Sequence, residues 1–111
     1  MPQLLKYLAD DKDRYVRGRA ASALGAIAGA DFIPQLPESL AKDKDEYVRK
    51  NCANALGKIG DESAVVPLKK ALKDGDENVR NADFSALEKI SRRLGVRIRR
   101  TKDEGTRDEG R

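Results

Sequence analysis

Three seven-residue segments of this chain share one pattern, D-x-D-x-x-V-R, at residues 11–17, 43–49 and 74–80. Their valines, Val16, Val48 and Val79, are spaced by 32 and then 31 residues. An Ala-Leu pair follows each at a constant offset, as Ala23-Leu24, Ala55-Leu56 and Ala86-Leu87, and an isoleucine comes three residues later at Ile27, Ile59 and Ile90. A period of this length makes one supersecondary unit three times over. Such a unit cannot bury its apolar face alone, so the chain must fold by stacking neighbours.

The spacing inside the repeat gives the unit. Val16, Ala20, Ala23, Leu24 and Ile27 recur at i, i+4, i+7, i+8 and i+11, which is one face of an α-helix, and Val48, Cys52, Ala55, Leu56 and Ile59 repeat it. The second Asp of each motif, Asp13, Asp45 and Asp76, stands where an N-cap belongs and suits the positive end of the helix dipole. Gly29 and Gly60 are expected to stop the first two of these helices. Upstream, Leu4 and Leu8, Leu36 and Leu40, and Leu68 and Leu72 are i, i+4 pairs of a shorter first helix, entered through Pro2, Pro34 and Pro67. Pro37 is expected to bend or shorten the first helix of the second unit. One residue missing from the third turn accounts for the change of spacing. The expected fold is all-α: a right-handed α-α superhelix, a short solenoid of three helical hairpins at about residues 2–29, 31–60 and 62–94, with 95–111 a basic, partly disordered tail.

The remaining composition fits a thin stack. The 111 residues suffice for one small domain, and charged residues, at 38%, nearly equal the hydrophobic 39%. That balance suits helices that bury one stripe and solvate the rest. Cys52 has no partner for an intramolecular disulfide, which points to a reducing compartment, and it sits at an apolar helix position. No apolar run approaches the ~20 residues needed to span a bilayer. The first residues, Met1-Pro2-Gln3-Leu4-Leu5, lack the basic start and long apolar stretch of a secretory signal. A cytoplasmic protein without membrane partners is expected.

The pattern V-R-x-x-x-x-x-A-L-x-x-I after a D-x-D turn, over residues 2 to about 94, resembles the HEAT-like repeats known from phycobilin lyase subunits. The resemblance implies an armadillo-like α-solenoid that most often serves as an adaptor or scaffold. Relatives with other activities include the phycobilin lyases themselves, deoxyhypusine hydroxylase with His-Glu iron sites, and DNA glycosylases with a basic concave surface. This chain has no His, so an iron site of that type and a Cys/His zinc site are both excluded. No Gly-rich phosphate loop and no nucleophile paired with a base is present, so neither catalysis nor a cofactor is expected.

In such stacks the second helices line the concave surface. The positions opposite the apolar stripe are Tyr15, Arg19 and Ser22, then Tyr47, Asn51, Asn54 and Lys58, then Asn78, Ser85 and Lys89. They form a ladder able to stack and hydrogen-bond with a partner, in residue types favoured at binding hot spots; an ordinary solvated helix face would look the same. Arg17, Arg49 and Arg80 recur once per unit. Their expected role is structural, reaching an Asp of a neighbouring turn to hold register, although a phosphate-binding row would have the same spacing. Asp83 takes the place of Ala20 and Cys52 and is expected to be a polar cap on the last unit.

The net charge of +4 is unevenly placed. Residues 1–88 carry 14 basic and 15 acidic groups, whereas 89–111 carry nine and four. Arg92, Arg93, Arg97, Arg99, Arg100 and Lys102 cluster around Gly95, an expected helix stop. Such a cluster would bind nucleic acid or a ribonucleoprotein with a steep salt dependence, or an acidic protein. The favoured expectation is a non-catalytic adaptor, scaffold or assembly factor that binds another protein. A nucleic-acid- or ribosome-associated accessory protein is the alternative, and a phycobilin-lyase-like subunit the next. The first unit's outer face points either to self-association or to a preceding unit of a longer array.

Overall fold

The computed structural model describes residues 2–27 and 33–95. Among these residues there are six α-helices and no strands. The helices are α1 (Pro2–Asp10), α2 (Arg14–Ile27), α3 (Gln35–Lys42), α4 (Glu46–Ile59), α5 (Val65–Ala71) and α6 (Glu77–Leu94), with a 3-10 turn at Glu62–Ala64 leading into α5. Each short first helix packs on the longer helix that follows it, and the hairpins stack in chain order. The second helices pack closely on one another, while the first helices touch their neighbours only lightly. The row of second helices therefore makes the tighter contacts of the stack.

The acidic turns set the helix starts. The Tyr15 amide donates to Asp13 Oδ1 at 2.7 Å, the Tyr47 amide to Asp45 Oδ1 at 2.9 Å, and the Val79 amide to Asp76 Oδ1 at 3.0 Å. One step earlier, Asp11, Asp43 and Asp74 each accept the backbone N–H of the second Asp at 2.9 Å. Both acids of D-x-D are thus occupied by backbone amides that would otherwise lack acceptors at a tight turn. Gly60 and Gly95 end α4 and α6 in the left-handed region, at φ 68 and 70. Gly29 lies outside the described residues.

Pro37 is the third residue of α3, in the first turn, where its missing N–H removes no intrahelical bond, and α3 runs eight residues beside nine in α1 and seven in α5. Ile27 does not extend the buried stripe of α2 and is 57% exposed, whereas Ile59 and Ile90 are buried. The missing residue of the third unit has a clear structural expression. In the first two turns the amides of Asp11 and Asp43 reach back four residues, to the carbonyls of Tyr7 and Ser39. In the third, the amides of Leu72, Lys73 and Asp74 reach back three, to Lys69, Lys70 and Ala71. The last turn of α5 has tightened to 3-10 geometry, which uses fewer residues per turn.

The core is the shared stripe. Leu8, Leu24, Leu36, Leu40, Val48, Leu56, Leu68, Val79 and Ile90 are all fully buried. Small residues allow the second helices to approach. A Cβ on Gly25 would stand 2.7 Å from Ala55 Cα, and one on Gly57 2.9 Å from Ala86 Cα, so backbone lies on backbone at both junctions. Cys52 is sealed in this core, and burial pushes its thiol well above its ordinary range, which keeps it an unreactive packing group.

Candidate interaction surface

The repeated arginines connect consecutive hairpins. Arg17 Nε and Nη2 clasp Asp43 at 3.0 and 3.2 Å, and Arg49 Nε and Nη2 clasp Asp74 at 2.7 and 3.1 Å. Each guanidinium also donates Nη1 to a carbonyl of its own turn, Asp11 O for Arg17 and Asp43 O for Arg49, both at 2.8 Å. The Arg17–Asp43 pair is nearly closed to solvent, with both side chains 8% exposed. The hydrogen bond to Asp43 raises the Arg17 pKa and that to Asp74 raises the Arg49 pKa, so both stay charged. Arg80 keeps the bond to its own turn, Nη1 to Asp74 O at 2.7 Å, but clasps no carboxylate among the described residues.

Gly18 shapes the surface of the second helices. A Cβ there would fall 2.5 Å from the Tyr47 ring, so the missing side chain makes room for that ring. Tyr47 packs edge-on against Tyr15, with centroids 5.2 Å apart and planes at 63°. The Arg14 guanidinium lies 4.9 Å from the Tyr15 centroid and the Lys50 ammonium 5.5 Å from the Tyr47 centroid. Arg14 also bonds the Tyr15 hydroxyl and Asp45, at 3.1 and 3.2 Å. Tyr15 is 48% exposed and Tyr47 is half-buried. The result is an aromatic pair with a cation on each ring, facing solvent across the first junction.

The structure thus brings Tyr15 and Tyr47 together, with Asn51 beside them donating its amide to Tyr47 O at 2.8 Å. Arg19, Lys58, Asn78, Ser85 and Lys89 are exposed on their helices, and Ser22 and Asn54 are half-buried. They extend the surface but are not joined to the tyrosine pair. Arg14 and Lys50 were missed by sequence reasoning, because one flanks the cap and the other matches Gly18 in register; the glycine opposite a tyrosine was the available signal. At the end of α6, Arg92 and Arg93 are exposed. Arg93 is engaged, lying against Gly60 and donating Nη1 to Lys58 O at 3.2 Å. Arg97, Arg99, Arg100 and Lys102 lie outside the described residues.

Asp83 is not a polar cap. It is fully buried, and neither carboxylate oxygen has a hydrogen-bond partner. Its position is that of Ala20 and Cys52, which are also buried. The position is thus covered in all three hairpins of the described residues. The α6 residues that do change character at the end of the stack are those in register with the junction residues: Glu88 replaces Gly25 and Gly57, and Phe84 replaces Ala21 and Ala53.

Three stacked hairpins, capped by D-x-D turns and tied by an Arg–Asp clasp at each junction, agree with the comparison of sequences. The profile for HEAT repeats matches residues 1–88. The chain belongs to the HEAT repeat family. HEAT repeats are generally scaffolds for protein interaction and are typically non-catalytic, which fits a surface of stacking and hydrogen-bonding groups. None of the curated proteins compared matches the chain. No helix among the described residues of this HEAT array is long and apolar enough to cross a membrane.

Proposed function

We propose that this HEAT array is a non-catalytic, cytoplasmic adaptor that binds another protein through the surface of its second helices, centred on Tyr15 and Tyr47. The observation that carries this reading is the aromatic pair itself. Tyr15 leaves 48% of its surface to solvent while its ring is held between Tyr47 and Arg14. A large side chain already fixed in place loses little freedom when a partner covers it, which is the economy of a binding hot spot. The flanking cations of Arg14, Lys50 and Arg19 favour a partner that presents an apolar or aromatic group edged by acids.

The test is affinity capture of the tagged chain from its native extract, with and without nuclease, beside Tyr15→Ala. The expected result is one protein retained through nuclease treatment and lost with Tyr15→Ala. Purified, that protein should bind the variant at least about tenfold more weakly, the loss expected of a central aromatic anchor. Thermal stability of the variant should be nearly unchanged, since Tyr15 is only half covered. If the bound set disappears with nuclease, the function moves to the basic residues from Arg92 onward and the protein is a nucleic-acid accessory factor.

A further inference from the structure

The two junctions in the row of second helices carry their distinctive side chains at opposite ends. At the first, Tyr15 and Tyr47 sit in the opening turns of α2 and α4. At the second, Asn78 stands in register with those tyrosines, and the notable groups lie at the far end of α4. The Lys89 side chain crosses that junction, its Cδ 3.7 Å from where a Cβ on Gly57 would be. One turn on, Arg93 lies against Gly60 and donates Nη1 to Lys58 O at 3.2 Å. Two cations of α6 thus meet the last turn of α4 beside a third, Lys58, and all three are exposed. On α2 the residue in register with Lys58 is the uncharged Ala26. The helix explains part of this arrangement, since cations complement the dipole at a C-terminus and Arg93 satisfies a carbonyl there. It does not explain Lys58 and Lys89 together. Neither forms an ion pair among the described residues, and Asp61, the first acid after Lys58, is turned to the Ser63 amide at 2.6 Å. Like charges gathered without a counter-charge favour an anionic partner.

Tyr47 and Lys58 are eleven positions apart on α4, about 16 Å at the rise of an α-helix. We infer that Lys58, Lys89 and Arg93 form the carboxylate-binding end of the surface whose aromatic end is Tyr15 and Tyr47. The partner segment is then an extended peptide carrying an aromatic or large apolar residue and, about five residues from it at ~3.3 Å each, a pair of acids. It runs obliquely along α4, from the first junction to the second. Asn54, half-buried between the two ends, offers an amide to backbone groups that are free in an extended peptide and already bonded in a helix. A nucleic acid fits less well. With a phosphate about every 3.4 Å of strand, it would set several over the uncharged stretch of α4 between Lys50 and Lys58, where Asn51 and Asn54 stand. The inference rests on the reading of the second helices as a protein-binding surface and specifies the chemistry of the partner.

The test is a selection of random peptides displayed on phage against the full chain, followed by titration of the purified peptides it enriches. These should pair an aromatic or large apolar residue with two acids about five positions away. They should bind the double variant Lys58→Gln, Lys89→Gln at least about tenfold more weakly than the wild type, and Tyr15→Ala likewise. Both variants should keep the wild-type helix content, because the three side chains are exposed. Changing the peptide's acids to lysines should shift its preference to the double variant Lys58→Glu, Lys89→Glu. Peptides weakened by Tyr15→Ala and not by the lysine variants overturn the inference and leave the adaptor reading standing. Peptides weakened by the lysine variants and not by Tyr15→Ala break the link between the two ends and overturn it as well. If no peptide is enriched, or those enriched are indifferent to every variant, both readings fall. A single-stranded oligouridylate titrated alongside covers the remaining case. Binding tighter than that of the peptides, and lost in the lysine variants, assigns the cations to nucleic acid and overturns the inference.

Discussion

Asp83 stands where the other hairpins carry Ala20 and Cys52, and the comparison shows what a carboxyl group does at that place. It is fully buried with both oxygens unpartnered. Burial, with a smaller contribution from the nearby charge of Asp74, raises its pKa from 3.8 to about 8. Between those two values the folded chain holds a proton that the unfolded chain has released. Stability from this group is therefore greatest below about pH 4, falls as pH rises to about 8, and is flat beyond. Replacing Asp83 with Cys, the residue of the second hairpin, removes both the charge and the unmet acceptors. Asp83→Cys should stabilise the fold by about 1–3 kcal/mol near pH 4, where only the unpartnered neutral carboxyl group is removed, and by more at pH 8, in urea unfolding at the two pH values. An equal gain at both would place the whole cost in the neutral carboxyl group.

At the scale of elements, the second helices are set by how closely they approach. Gly57 offers a contrast with Gly75, around which nothing lies within 4 Å of an added Cβ. Gly57→Ala would favour the helix intrinsically by about 1 kcal/mol. It would also force Ala86 backbone away from a 2.9 Å contact, at a cost of about 1–3 kcal/mol for overpacking. The net expectation is a loss at Gly57 and a change within about 0.5 kcal/mol at Gly75, read as midpoints of thermal unfolding. This contrast also shows what the sequence reveals. The helices were legible because their signals are local: the D-x-D caps, the i, i+4 leucines, and glycine at the ends of α4 and α6. The junctions were less so. Gly18 looks like a poor helix residue until Tyr47, 29 positions on, is seen to need its space. Asp83 was misread for the same reason. Periodicity shows that a residue lies on a stripe, but not whether that stripe faces its own hairpin or the next one. The tyrosine pair was half legible, since both residues were marked by type and register while their contact and flanking cations depend on packing between repeats.

At the scale of the whole molecule, stability in a stack is a sum of units and the junctions between them. The second hairpin has a neighbour on each side, whereas the third ends its first helix in a tightened 3-10 turn and holds its last helix to the stack through α4 and α5. Amide exchange should then be slowest in α4 and faster in α1 and α5. The Arg49–Asp74 clasp gives a way to weaken one junction selectively. Arg49→Ala leaves Asp74, which is 9% exposed, without its cation, and removes the bond to Asp43 O. Burial raises the Asp74 pKa, but the hydrogen bond from Arg49 and the smaller backbone and charge contributions outweigh it, so the carboxyl stays below its ordinary range. Loss of the clasp should cost about 2–4 kcal/mol, discounted from a fully buried pair because Arg49 is partly exposed. That cost falls on the second junction. Exchange in α5 and α6 should accelerate by roughly tenfold or more, with α1 nearly unaffected. Arg17→Ala should do the reverse, loosening α1 and α2 and sparing α6. Equal acceleration in every helix for both variants would mean that the three hairpins open as one cooperative body, and that the clasps act on the stack as a whole rather than on the junction where each is formed.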